Sequence, residues 1–290
     1  MNRKMSRRNA LKSTMALAGL TYLENWNILS STTKSKVKIG ACDWSIGKMA
    51  DVAAIPLAKK IGLDGVQISL GTLDNNMHLR QKNIQQQYQH AFAKYGITMG
   101  GIAIGEMNNI PYKSDARAEK WVSDSIDVAK AMNCKVVLLA FFYNGDLKND
   151  IEGTKETIKR LKKVAPKAED HGIILGIESW LSAQEHMEIL DAVNSPNVKV
   201  YYDVANSNKM GYDIYQEIQA LGKEHICEFH AKENGFLLGQ GRIDFQRFGK
   251  ILHNIGYEGW VQIEGAVPEN GDMFKSYVHN NTFIRSALEV

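Results

Sequence analysis

Eight apolar runs, most followed by a stretch of helical periodicity, recur along residues 34–290 and leave very few architectures open. The runs lie at 37–42, 65–69, 98–104, 135–141, 173–178, 198–203, 225–230 and 259–264. Most are continuous Val, Ile and Leu rather than strict alternations, the signature of strands covered on both faces. The clearest helical stretches are 81–94, 116–132, 154–170, 182–192 and 245–254. Within 116–132, Trp121, Ile126, Val128, Ala129 and Met132 recur at three and four positions, as one buried helix face requires. Gly62, Gly96, Gly172 and Gly256 stand just before the next strand, where left-handed helix caps belong. Eight such units in about 255 residues suit an α/β fold of the closed (β/α)8 TIM barrel type, as a single domain. The alternative, an open doubly wound sheet, is weakened because no G-x-G-x-x-G follows the first strand.

Four side chains that suit a metal end four successive strands. Glu178 closes LGIES, Asp203 lies in VYYDVAN, His230 in ICEFHAKE and Glu264 in WVQIEG, at intervals of 25, 27 and 34 residues. Each interval is about one strand, one helix and two loops, so a barrel brings all four to one mouth. Three carboxylates and one imidazole form a donor set for a hard divalent cation. Taken singly, Glu178 or Asp203 also suits a helix cap, and His230 a hydrogen-bonded core position. Crowded at one mouth without a cation, however, the acids would repel and resist ionisation.

The 290 residues are 44% hydrophobic and 23% charged, ordinary for a globular protein, with a formal charge of +3. That charge sits in residues 1–33, which hold Arg3, Lys4, Arg7, Arg8 and Lys12 against Glu24 alone. The remainder carries 30 basic and 31 acidic residues, so no nucleic-acid partner is expected. Ser6-Arg7-Arg8-Asn9-Ala10-Leu11-Lys12 resembles a twin-arginine export motif, and a short apolar run from Met15 to Leu23 follows. We therefore expect residues 1–33 to be a signal and linker, 34–290 the barrel, and the protein periplasmic with no membrane span after processing. An accidental arginine pair on an amphipathic helix is the other reading. Cys42, Cys134 and Cys227 are sparse, odd in number and without a CxxC pair, so buried free thiols are expected.

The segments GIES, YYDVAN, FHAKE, GQGRIDF and VQIEG, with their spacing, resemble the xylose isomerase-like barrel superfamily over essentially the whole chain after residue 33. The branch they are most similar to is the sugar phosphate isomerase/epimerases, with ketose 3-epimerases, hydroxypyruvate isomerases and inosose dehydratases. The resemblance implies one divalent ion (Mn²⁺, Mg²⁺, Co²⁺ or Zn²⁺) on Glu178, Asp203, His230 and Glu264, with Glu178 and Glu264 as acid and base. It also implies a small carbohydrate substrate and, because such proteins are often dimers or tetramers, a homo-oligomer.

The chain departs from ketose epimerases at Asn206, where they carry a substrate-binding His, and at Phe236, where they carry Arg. Lys232 and Glu233 follow His230 as in many members of the family. Expected substrate contacts are Asn206, Lys232, Arg242, Trp44 and Trp180; each charge also suits a solvated loop, and each indole a packed core. The related nucleases that cut at abasic sites need several more His ligands, and GIAIGEMNN and LLAFFYNG hold none. Proton transfer through an enediolate gives epimerisation or isomerisation, and elimination where a leaving group lies beta to the carbanion. A lyase or dehydratase acting on a keto-sugar or keto-glycoside, and a non-catalytic metal-containing carbohydrate-binding barrel, are the alternatives.

Overall fold

The computed structural model describes residues 36–290; the export signal expected at 1–33 lies outside the described residues. Eight parallel strands close on themselves in chain order. They are β1 (Lys38–Cys42), β2 (Gly65–Ser69), β3 (Thr98–Ile104), β4 (Val136–Phe141), β5 (Ile174–Ser179), β6 (Val198–Asp203), β7 (Ile226–Ala231) and β8 (Trp260–Ile263). Pairing of Lys38 with Trp260 through Ala41 with Ile263 shuts the ring. All eight expected strands are present within a residue or two.

Alternate side chains along the strands face two environments. Ile39 and Ala41, Val66 and Ile68, Val137 and Leu139, and Leu175 and Ile177 join the large core under the helices. Their neighbours Ala103, Val136, Leu138, Ala140 and Tyr201 make a second, small cluster inside the ring. Burial on both faces explains the unbroken apolar runs. Where the ring is tightest, a side chain has no room. A Cβ on Gly65 would stand 2.2 Å from the Thr98 carbonyl oxygen and 2.6 Å from the Trp260 indole.

Helices α1 (Ala54–Ile61), α2 (Lys82–Tyr95), α3 (Ala116–Ala131), α4 (Ile151–His171), α5 (Ala183–Val193), α6 (Val204–Lys209), α7 (Ile214–His225), α8 (Phe245–Asn254) and α9 (Met273–Leu288) fill the connections. The four expected glycine caps all have positive φ, between 62° and 92°. Helix α7 is broken at Gly222, whose φ of 63° and ψ of 174° are not helical. The three cysteines are free, as expected.

Helix α9 was not among the clearest helical stretches of the sequence, and it buries polar as well as apolar side chains. Two of its inward positions are asparagines that carry hydrogen bonds in place of apolar contacts. Asn280 accepts from the Leu238 N–H at 3.0 Å and donates to the Ala266 carbonyl at 2.8 Å. Asn281 donates to the carbonyl of Ile61, closing the last helix against the first.

Candidate metal centre and pocket

The strand ends deliver four ligand groups to one point. Glu178 is the penultimate residue of β5, Asp203 ends β6, His230 is penultimate in β7, and Glu264 follows β8 directly. One candidate ligand atom from each lies within 4.8 Å of all the others. His230 Nδ1 is 2.8 Å from Glu178 Oε1, 3.5 Å from Glu264 Oε2 and 4.0 Å from Asp203 Oδ2. Glu178, Asp203 and His230 are buried, and Glu264 is half-buried toward the mouth. Direct pairing of Asp203 with His230 across β6 and β7 sets their heights.

Asp203 caps a helix with one carboxylate oxygen and turns the other into the ring. Its Oδ1 accepts the N–H groups of Ala205 and Asn206, each at 2.8 Å, and so caps α6. Its Oδ2 is buried and has no hydrogen-bond donor. Glu178 caps no helix; the cap of α5 is Ser182, with Glu185 completing a capping box.

Electrostatics at the cluster are those of crowded carboxylates set beside two cationic side chains. Burial pushes the Asp203 carboxyl up to about 7; Lys232 and His230 oppose the rise, while Glu264 and Glu178 add to it. Burial also acts to raise Glu264, but His230 and Lys232 outweigh it and draw that carboxyl down to about 2. Burial disfavours the His230 imidazolium, yet the Glu178 and Glu264 carboxylates hold its pKa above the ordinary histidine range. The proton on Nδ1 thus occupies the direction in which a cation would be attracted.

The residues fit a hard dication. Three carboxylates and one imidazole converge, and the donorless Asp203 Oδ2 is the buried acceptor that an ion would satisfy. Beside the ring, Lys232 Nζ donates to Glu264 Oε2 at 2.8 Å and stands 3.6 Å from Asp203 Oδ2. The Trp44 indole N–H donates to Glu264 Oε1 at 2.8 Å.

A cavity of about 390 Å³ opens above Glu178 and Glu264. Trp44, Trp180, Asn206 and Lys232 line it, and Arg242 does not. Arg242 was expected at the substrate; its side chain is exposed, and its backbone N–H donates to buried Glu233. Glu233 also accepts from the Ile243 N–H at 2.7 Å, so its carboxylate folds the loop that carries Arg242 away from the lining.

Several lining residues were not anticipated. Phe142 and Tyr143, directly after β4, pack edge-on against Trp180 with ring centroids 5.2 and 5.6 Å away. Tyr143 is 73% exposed and holds a φ of 52°, a costly backbone for a bulky residue. Their position at a strand end was the available signal, but two aromatics after an apolar run read equally as core. Behind the ring, Gln67 Oε1 lies 3.0 Å from His230 Nε2, and Cys42 Sγ lies 3.3 Å from the same nitrogen. Burial pushes the Cys42 thiol up to about 12, so it remains an S–H donor.

A family model described as xylose isomerase-like TIM barrel matches residues 55–286. A putative L-ribulose-5-phosphate 3-epimerase of Escherichia coli is 24% identical over 233 residues, 72% of this chain and 81% of that protein. A ketose 3-epimerase of Arthrobacter globiformis is 32% identical over 154 residues, 43% of this chain and 52% of that protein. The chain spans about half the length of two of the relatives it matches. A crystal structure of a D-psicose 3-epimerase in the presence of D-fructose superposes with a TM-score of 0.74 at 18% identity, covering 87% of this chain and 100% of that one. At that identity the likeness shows the fold.

Proposed function

This chain belongs to the xylose isomerase-like TIM barrel family, and from that premise we propose that it is a divalent-metal-dependent sugar isomerase or epimerase. The observation that carries the reading is the ring of Glu178, Asp203, His230 and Glu264 around a buried carboxylate oxygen that lacks a donor. Names of relatives support the same class, since those with assigned reactions are epimerases, most at carbon 3 and one at carbon 2.

Those four residues would hold the ion, which when bound supplies Lewis-acid polarisation of a carbonyl and its neighbouring hydroxyl. The remaining work falls to side chains of this protein. A C–H beside a carbonyl is a weak acid, and its removal leaves an enediolate. Glu264 is oriented by Lys232 and by the Trp44 N–H, which suits its position to take that proton. Glu178 reaches the same cavity from β5 and is the group to return one. Return to the opposite face inverts the centre; return to the adjacent carbon interconverts aldose and ketose. Trp180 and Tyr143 offer apolar faces to a sugar ring, while Asn206 offers amide hydrogen bonds.

A substrate without phosphate fits this cavity better than a sugar phosphate. Among the described lining residues Lys232 is the sole lysine or arginine, and it is committed to Glu264 and Asp203. Glu106 adds a further carboxylate to the lining. A phosphate dianion would meet acids and no free cation. Export directed by Ser6–Lys12, which we propose would deliver the enzyme to the periplasm, suits the same substrate class. Cell fractionation with Arg7→Lys and Arg8→Lys exchanged together tests the address.

The activity test is solvent deuterium uptake at carbon across a panel of ketoses, aldoses and 3-keto-glycosides, with each divalent ion supplied in turn. Exchange that disappears in Glu264→Gln and in Glu178→Gln is the expected result. Release of a beta substituent would instead identify the eliminating variant of the same chemistry. Tight sugar binding without any exchange would identify a non-catalytic barrel. Full turnover in both variants would overturn the acid–base assignment.

A further inference from the structure

We propose that Gln67 is a positioning residue that fixes which nitrogen of His230 is free to bind a cation. The inference rests on the metal reading above and concerns a residue on β2, across the barrel from the ligand strands.

The two imidazole nitrogens face different surroundings. Nδ1 looks into the ring of carboxylates, with Glu178 Oε1 at 2.8 Å. Nε2 looks away from it, to Gln67 Oε1 at 3.0 Å. An imidazole binds a cation only through a nitrogen lone pair, so ligation through Nδ1 requires the proton to reside on Nε2. The partner of Nε2 must then be an acceptor.

A glutamine can present either an acceptor or a donor, and its other contacts decide which. The Gln67 Nε2 amide donates to the Tyr201 hydroxyl at 3.1 Å. The Cys42 thiol donates to Gln67 Oε1 at 3.3 Å. The Tyr201 hydroxyl gives its proton to the Glu228 carboxylate, so it accepts from the amide nitrogen and leaves the carboxamide oxygen facing the thiol and His230. The opposite orientation would set the amide N–H₂ against both the thiol and Nε2, forcing the ring proton onto Nδ1 and into the carboxylates. His230 is also clamped in plane and height, with the Tyr201 ring centroid 4.6 Å away. Gln67, Cys42 and Tyr201 are all fully or almost fully buried, so water does not compete for these bonds.

The geometry therefore makes Gln67 the outer partner that a metal-bound histidine needs, in a place where a carboxylate or backbone carbonyl is more usual. It also gives Tyr201 and Cys42 a role that neither the fold nor proton transfer explains. Both also touch the imidazole directly, Cys42 at Nε2 and Tyr201 at the ring face, but the amide is the contact through which they select the acceptor.

The test combines nitrogen-15 NMR of histidine-labelled protein with titration of manganese and zinc. In wild type, an Nε2-bound proton slow to exchange with solvent is expected both without metal and in the zinc-loaded protein. Gln67→Glu keeps the acceptor and is expected to keep that signal and ion affinity within a few fold. Gln67→Met removes it, and the protected proton should vanish while manganese binds about 10- to 100-fold more weakly. Circular dichroism and thermal unfolding establish that each variant is folded. A folded Gln67→Met with the same protected proton and the same affinity would overturn the proposal. If wild type binds none of the ions, the metal reading fails, and the metal-free signal still decides whether Gln67 holds the Nε2 proton.

Discussion

The Lys232 ammonium donates to Glu264 Oε2 at 2.8 Å and lies 3.6 Å from Asp203 Oδ2, so one cation already bridges two of the three candidate ligand carboxylates. Replacing it with a neutral chain of similar length separates two consequences. In Lys232→Met the ring loses a positive neighbour that repels an incoming dication, so manganese should bind about tenfold or more tightly. Glu264 also loses the donor that orients it, and turnover should fall by about 10- to 100-fold. Calorimetry and the deuterium-exchange assay read the two effects; weaker ion binding in the variant would show that Lys232 supports the site by structure alone.

A bound ion should stabilise the fold. At a free concentration of 100 times Kd, linkage contributes about 2.7 kcal/mol, and for a domain this size each kcal/mol moves Tm by about 2–4 °C. Manganese or magnesium should raise Tm and a chelator should reverse the rise. Asp203→Asn should blunt the shift, and an unmoved wild-type Tm at millimolar ion would argue against any site at this mouth.

His186 supplies a pH dependence away from the ligand ring. It is buried, between the Ser179 hydroxyl at 2.9 Å and the Ser182 carbonyl at 2.9 Å. Burial draws its pKa from 6.5 down to about 4. The folded protein thus keeps His186 neutral while the unfolded chain takes up a proton below pH 6.5. Its contribution is fully present above that pH and is lost as pH falls toward 4, by up to about 3 kcal/mol. Urea unfolding at pH 7.5 and pH 5 should show the loss, and His186→Gln should show a smaller one. An equal slope in both proteins would remove His186 as the cause.

Gly65 tests the tightness of the ring. A methyl there meets the backbone oxygen of Thr98 at 2.2 Å, and backbone in a closed sheet yields little. Gly65→Ala should cost about 2–3 kcal/mol or prevent folding. Gly105, where an added Cβ meets nothing within 4 Å, is the control, with an expected change within about 0.5 kcal/mol. Equal stability of the two variants would mean that β2 and β3 adjust more freely than their register suggests.

The amino-acid sequence alone determined the strands, their order and the four ligand candidates. A strand buried on both faces must be apolar throughout, and a ligand at its end interrupts that run with an acid or histidine at a regular interval. Glu178, Asp203, His230 and Glu264 were legible for that reason. Only the tertiary structure decided what surrounds them. Gln67 lies 163 residues from His230, and no local rhythm records a contact made across a barrel. Arg242 and Lys232 look alike as loop cations, yet Glu233 keeps one in solvent while two carboxylates hold the other at the ring. Periodicity reports which face of an element is covered; it carries no information on the distance between side chains whose strands meet only when the sheet closes.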